Sequence, residues 1–144
     1  FDIILLFGSG FALAKGFELS GLSNWIAAGL SIFSGTNVLL LIAGICLIVC
    51  VISEFASNVA SIQLVIPILV AFQKDLGIDP LLLLVPATLA ASLGFMMPVA
   101  TAPNTIVFGS NRISVSDMVR SGWWINFAGI LIITILVWVF LTFL

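Results

Sequence analysis

The chain has 144 residues, 62% hydrophobic and only 7% charged, where an average soluble domain is about 25% charged. A mean hydropathy of +1.39 excludes a water-soluble globule and describes a chain embedded in a bilayer. Four cations scattered along a chain of net charge −2 make no basic patch, so nucleic acid is excluded as a partner.

Residues 3–14 are apolar, interrupted by Gly8-Ser9-Gly10, and read as the end of a spanning helix whose glycines permit close helix packing. The chain opens on Phe1 within that run, with no initiator Met and no basic region, so the expectation is a piece of a longer protein without a signal peptide. Lys15 and Glu18 mark a membrane surface, and residues 20–24 (SGLSN) form a loop with capping chemistry. Residues 25–33 are too short to span; Trp25 at one end predicts an interfacial helix.

Two charge-free runs follow, residues 38–52 and 62–72, separated by Ser53-Glu54-Phe55-Ala56-Ser57-Asn58-Val59-Ala60-Ser61. As helices the runs measure roughly 20–24 Å at ~1.5 Å per residue, short of a bilayer core of about 30 Å. Folding back at the polar island makes a re-entrant hairpin with its tip near the midplane. Ser57-Asn58 offers an N-cap for the second arm, which contains Pro67. Cys46 and Cys50 share one helix face at a spacing poorly suited to a disulfide, and read as small buried hydrophobes. Residues 74–80 are a surface turn.

A third apolar segment, residues 81–93, breaks at residues 94–104 (GFMMPVATAPN) and resumes at Thr105, which predicts a discontinuous helix with Asn104 as the cap of its second half. Ser110-Asn111-Arg112 ends it, and residues 114–120 are a polar connector with Ser116-Asp117 at the start of a brief helix. A span of about 22 residues closes the chain, with Trp123 and Trp124 at one interface and Trp138 toward the other. Arg112 and Arg120 against Lys15 and Lys74 do not orient the chain.

Irregular backbone at membrane depth is tolerated only where protein buries it or where it lines a cavity. Residues 53–61 and 94–104 are two such places in a short chain, and the reading is that they meet. Unwound carbonyls, hydroxyls and the Asn58 oxygen then suit a cation, while helix N-termini suit an anion. Each residue also has a plainer role. Asn58 can cap a buried helix, and Ser53 and Thr101 can bond back to their own helices. Glu54 is a proton or cation site, or else it sits at the aqueous edge of the tip or accepts from backbone N–H groups. A membrane-embedded enzyme using Glu54 is disfavoured, because the chain has no histidine and its other candidate acids, Asp75, Asp79 and Asp117, fall in surface turns. A channel subunit is a further alternative.

Ser53-Glu54-Phe55-Ala56-Ser57-Asn58-Val59-Ala60 resembles the hairpin tip of the divalent anion/Na⁺ symporter family, where a Ser-Asn-Thr signature stands. Residues 95–109 (FMMPVATAPNTIVFG) resemble that family's second signature, around its unwound helix, and residues 5–14 (LLFGSGFALA) resemble the helix before its interfacial arm. The resemblance runs essentially end to end. It implies an all-α integral membrane fold, the C-terminal one of two inverted repeats, with a re-entrant helical hairpin and a discontinuous helix. Residues 1–37 are then the end of a scaffold helix plus the interfacial arm. Residues 38–144 are half of a transport domain: hairpin 38–74, broken helix 80–111, terminal transmembrane helix 121–144.

The same resemblance implies a Na⁺ site built from Ser53, Ala56 and Asn58 at the tip and the Ala100 carbonyl at the break. It implies a substrate carboxylate facing Asn58 and Thr101, with Val59 in the position of the signature threonine. The expected function is Na⁺-coupled symport of a di- or tricarboxylate; a sulfate or other inorganic anion permease of the same fold is the alternative. The expectation includes no cofactor beyond Na⁺ as coupling ion, no enzymatic activity, and a multi-pass location in a bacterial inner or plasma membrane. Expected partners are a small anionic substrate, the bilayer, the remaining N-terminal half and a second copy in a homodimer. Val59 removes a hydroxyl donor, and Ala102 stands where dicarboxylate carriers often have proline. Both differences bear on which anion is carried.

Overall fold

The computed structural model describes residues 37–77 and 79–143, together with residues 8, 12, 15, 16, 19–22 and 25. The predicted scaffold helix and interfacial arm of residues 1–37 lie almost wholly outside the described residues. Among the described residues there is no strand. From residue 37 on, the described residues form five helices in order: α1 (Val38–Phe55), α2 (Asn58–Leu76), α3 (Leu81–Ala91), α4 (Ala102–Gly109) and α5 (Val115–Phe143).

Two of these, α1 and α5, are long and apolar enough to cross a membrane. Asn37 starts α1 by accepting the Leu39 N–H on its side-chain oxygen at 3.0 Å. The helix runs three residues past the apolar run, because Ser53, Glu54 and Phe55 remain helical. Only Ala56 and Ser57 are extended, so the irregular backbone is much shorter than the polar island of residues 53–61. Its polar side chains satisfy themselves from within helices: Ser53 Oγ donates to the Cys50 carbonyl, and Ser61 Oγ donates to the Ser57 carbonyl.

Ser57, rather than Asn58, caps α2, accepting the Ala60 N–H on its hydroxyl. Gly77 ends α2 in the left-handed region (φ 64°), where a residue without Cβ is unstrained. Asp79 then accepts the Leu81 N–H at 2.8 Å and starts α3.

The core is a layer of apolar side chains shared by α1, α2, α3 and α5. Ile42, Cys46 and Val49 of α1 meet Leu69 and Phe72 of α2, Leu83, Ala87 and Ala90 of α3, and Ile133 of α5. Small residues on α3 let it approach α1 closely, which places the end of α3 beside the end of α1. Both cysteines are free and buried, and Cys50 Sγ donates to the Leu93 carbonyl at 3.2 Å.

The helical hydrogen bonding of α3 stops at Ser92, and the chain is irregular to Thr101. The second half resumes three residues earlier than the sequence predicts. Thr101 is its cap, accepting the Asn104 N–H, and Pro103 sits in the first turn, where its missing N–H costs nothing. Asn104 is therefore not a cap. Its amide donates back to the carbonyls of Gly94 (2.8 Å) and Met97 (3.0 Å), across the break.

The polar connector and the terminal span are one helix, not two elements divided near residue 121. Ser114 accepts the Asp117 N–H, and Asp117 accepts the Ser114 N–H in return. This reciprocal cap starts α5 at Val115. At ~1.5 Å per residue its 29 residues reach about 43 Å, more than a bilayer core.

Candidate functional site

The turn at Ala56–Ser57 and the break at residues 92–101 meet, and a carboxylate joins them. Glu54 lies in the last turn of α1 and is 1% exposed. Its Oε1 accepts the N–H groups of Phe95 (3.0 Å) and Met96 (3.1 Å); its Oε2 accepts those of Met96 (3.0 Å) and Met97 (2.8 Å). Asn126 of α5 donates its amide to Oε1 at 2.6 Å. Three successive N–H groups of unwound chain are thus satisfied by one side chain, as burial away from water requires. Among the readings of Glu54, the structure shows the acceptor of backbone N–H groups, and its burial rules out a place at the aqueous edge of the tip.

Beside this junction Ser53, Asn58 and Ala100 pack around Gly94. A Cβ built on Gly94 falls 3.1 Å from Ala100 Cβ, 3.3 Å from Asn58 Oδ1 and 3.7 Å from the Ser53 carbonyl oxygen. The three residues come from the end of α1, the start of α2 and the break, and they pack closely around Gly94, where a side chain would crowd Ala100 and Asn58. Asn58 Oδ1 is buried with no hydrogen-bond partner. The Ser53 carbonyl belongs to the last turn of α1, whose final helical bond runs from the Ala56 N–H to the Ile52 carbonyl. The amide oxygen and the helix-end carbonyl that meet at Gly94 are hard donors, suited to a hard cation. Among the described residues no group of three or more His, Cys, Asp or Glu side chains is placed to hold a metal ion.

Ser53, Asn58 and Ala100 are therefore brought together. Ala56 is the half-buried residue that closes α1, and Thr101 follows Ala100 with its hydroxyl engaged as the cap of α4. Val59 is 41% exposed on the first turn of α2. Two helix N-termini, those of α2 and α4, begin at this junction, and the C-terminus of α1 ends there. The helix ends supply partial positive and partial negative charge respectively.

Three residues of this region were not assigned roles from the sequence. Gly94 was visible only as a helix breaker. Asn126 is a lone amide within the apolar run of α5, a signal that an intramembrane polar residue has a partner. Gly122 packs on the break: a Cβ there would fall 2.6 Å from the Phe95 carbonyl oxygen.

The family model of the sodium:sulfate symporter transmembrane region matches residues 1–144. The chain is 40% identical to the sodium-dependent dicarboxylate transporter SdcS of Staphylococcus saprophyticus over 136 residues, 94% of this chain and 26% of that protein. It is 45% identical to solute carrier family 13 member 2 of Rattus norvegicus over 139 residues, 93% of this chain and 23% of that protein. It is 44% identical to the Na⁺/citrate cotransporter of Mus musculus over 130 residues, 90% of this chain and 23% of that protein. The chain thus spans about a quarter of the length of these relatives.

Proposed function

The chain belongs to the family of the sodium:sulfate symporter transmembrane region and is a membrane protein, and from that premise we propose that its parent is a secondary active transporter coupling Na⁺ to uptake of a di- or tricarboxylate. The observation that carries the reading is the buried, unpartnered Asn58 oxygen brought beside the Ser53 carbonyl and Ala100 at Gly94. A buried amide oxygen without a donor is destabilising by about 1–3 kcal/mol. A bound cation removes that cost.

In this reading the chain is the C-terminal inverted repeat, with α1 and α2 as a re-entrant hairpin and α3 and α4 as the discontinuous helix. Residues 1–37 belong to the scaffold and residues 38–144 to the transport half. The cation is held by carbonyls of Ser53, Ala56 and Ala100 and by Asn58 Oδ1. The carboxylates of the substrate then face the N-termini of α2 and α4, with the Asn58 amide and the Thr101 hydroxyl as hydrogen-bonding groups and Val59 as an apolar wall. Cation charge and helix ends together offset the anion. The N-terminal half supplies the complementary ligands, and the scaffold supplies a homodimer contact against which the transport half moves. Loading both ligands favours the crossing conformation, whereas sodium alone does not.

Named activities of the relatives favour carboxylates, since they include a dicarboxylate transporter and a citrate cotransporter. Val59, which lacks the hydroxyl of the signature threonine, favours the alternative of sulfate or another inorganic anion. The test is radiolabelled uptake by the parent protein in vesicles, with succinate, citrate and sulfate offered in sodium or in choline. Succinate uptake is expected in sodium and lost in choline, and Asn58→Ala is expected to abolish it in protein that still folds. Equal uptake in choline, or sodium-driven uptake retained by Asn58→Ala, contradicts the reading.

A further inference from the structure

We infer that Glu54, seated by Asn126, is the positioning residue that fixes the unwound segment against the end of α1, and that it serves the cation site through that segment without touching the cation. The inference deepens the proposed transport reading by assigning the group that sets the site's geometry.

Four donors converge on the Glu54 carboxylate: three consecutive backbone N–H groups and the Asn126 amide. They occupy both oxygens, while Asn126 Oδ1 is itself buried with no hydrogen-bond partner. The same segment is pressed from its other side by α5. Gly122 lies one helical turn before Asn126, and its missing side chain admits the Phe95 carbonyl to a position that any Cβ would block at 2.6 Å. Asn104 then ties the carbonyls of Gly94 and Met97, flanking the three bonded N–H groups.

Residues 95–97 are therefore held on three sides, by α1, α4 and α5. Gly94 and Ala100, which stand at the two ends of this clamp, are the break residues that meet Asn58 and the Ser53 carbonyl. Loosening the clamp moves Ala100 relative to Asn58 and spoils a multi-ligand cation site, although no cation ligand has been altered.

The experiment uses the purified full-length parent. Glu54→Gln keeps the size of the side chain but sets an NH₂ group among donors. Asn126→Ala removes one of the four donors, and Gly122→Ala displaces the segment while leaving Glu54 intact. Hydrogen–deuterium exchange of the Phe95, Met96 and Met97 amides is expected to quicken at least tenfold in Glu54→Gln and about threefold in Asn126→Ala. The sodium concentration for half-maximal succinate uptake is expected to rise about tenfold in Glu54→Gln and Gly122→Ala, with uptake at saturating sodium largely retained. If Glu54→Gln does not yield folded protein, Asn126→Ala and Gly122→Ala carry both measurements. Unchanged exchange at these amides in a folded variant overturns the positioning role. A fall in maximal uptake with an unshifted sodium requirement overturns its link to the cation. Absence of sodium dependence in the wild-type protein contradicts the transport reading instead, and the exchange measurement still decides the role of Glu54.

Discussion

Asn58 holds a buried oxygen with no donor, packed against a glycine where a Cβ would crowd it. These two features are the local basis of the proposed cation site, and each can be altered by one substitution. Gly94→Ala places a methyl group 3.1 Å from Ala100 Cβ and 3.3 Å from Asn58 Oδ1. Either neighbour must yield by a few tenths of an ångström, so the sodium requirement for uptake by the parent protein is expected to rise; an unchanged requirement places the cation elsewhere. Val59→Thr restores a hydroxyl to the exposed first turn of α2. A hydrogen bond to a charged group is worth about 1.5–3 kcal/mol, so succinate is expected to compete for uptake roughly ten- to a hundredfold more strongly. Unchanged competition by succinate shows that this side chain does not face the anion.

At the scale of elements, the meeting of two breaks was legible because Glu54, Asn58, Thr101 and Asn104 are polar residues in otherwise apolar runs. Their detailed roles were not. Which residue caps a helix depends on where the backbone first turns extended: of the expected pair Ser57-Asn58 it is Ser57 that caps α2, and Thr101 takes the place expected for Asn104. The Glu54–Asn126 bond joins residues 72 apart, a pairing that no local pattern encodes. The reciprocal cap of Ser114 and Asp117 was hidden in a stretch that read as a connector, which is why α5 begins six residues before position 121.

The glycines of α5 give a contrast that tests how rigid the break is. At Gly122 a new Cβ meets Phe95 backbone at 2.6 Å, whereas at Gly129 it meets the flexible end of the Leu93 side chain at 2.7 Å. Overpacking a fixed contact costs about 1–3 kcal/mol, and a side chain that can rotate away costs less. Thermal unfolding of the detergent-solubilised parent is expected to show a clearly larger loss for Gly122→Ala than for Gly129→Ala. Equal losses imply that the Phe95 backbone gives way as easily as the Leu93 side chain.

For the whole molecule, the arrangement is one in which polar chemistry is sealed inside and apolar surface faces out. Trp124, Phe127, Leu131 and Phe140 of α5 lie exposed, as lipid or the rest of the parent protein would require. Beneath them, α1, α2 and α3 bring a helix end, a helix start and an unwound segment to one place, where Glu54 holds the unwound segment still. The most direct measurement of this account is the thermal stability of the purified parent in sodium against choline. A ligand at ten times its dissociation constant stabilises by about 1.4 kcal/mol, so sodium is expected to raise the melting temperature of the wild type and to leave Asn58→Ala unmoved. An equal rise in both proteins, or none in the wild type, contradicts a sodium site at the junction of Ser53, Asn58 and Ala100.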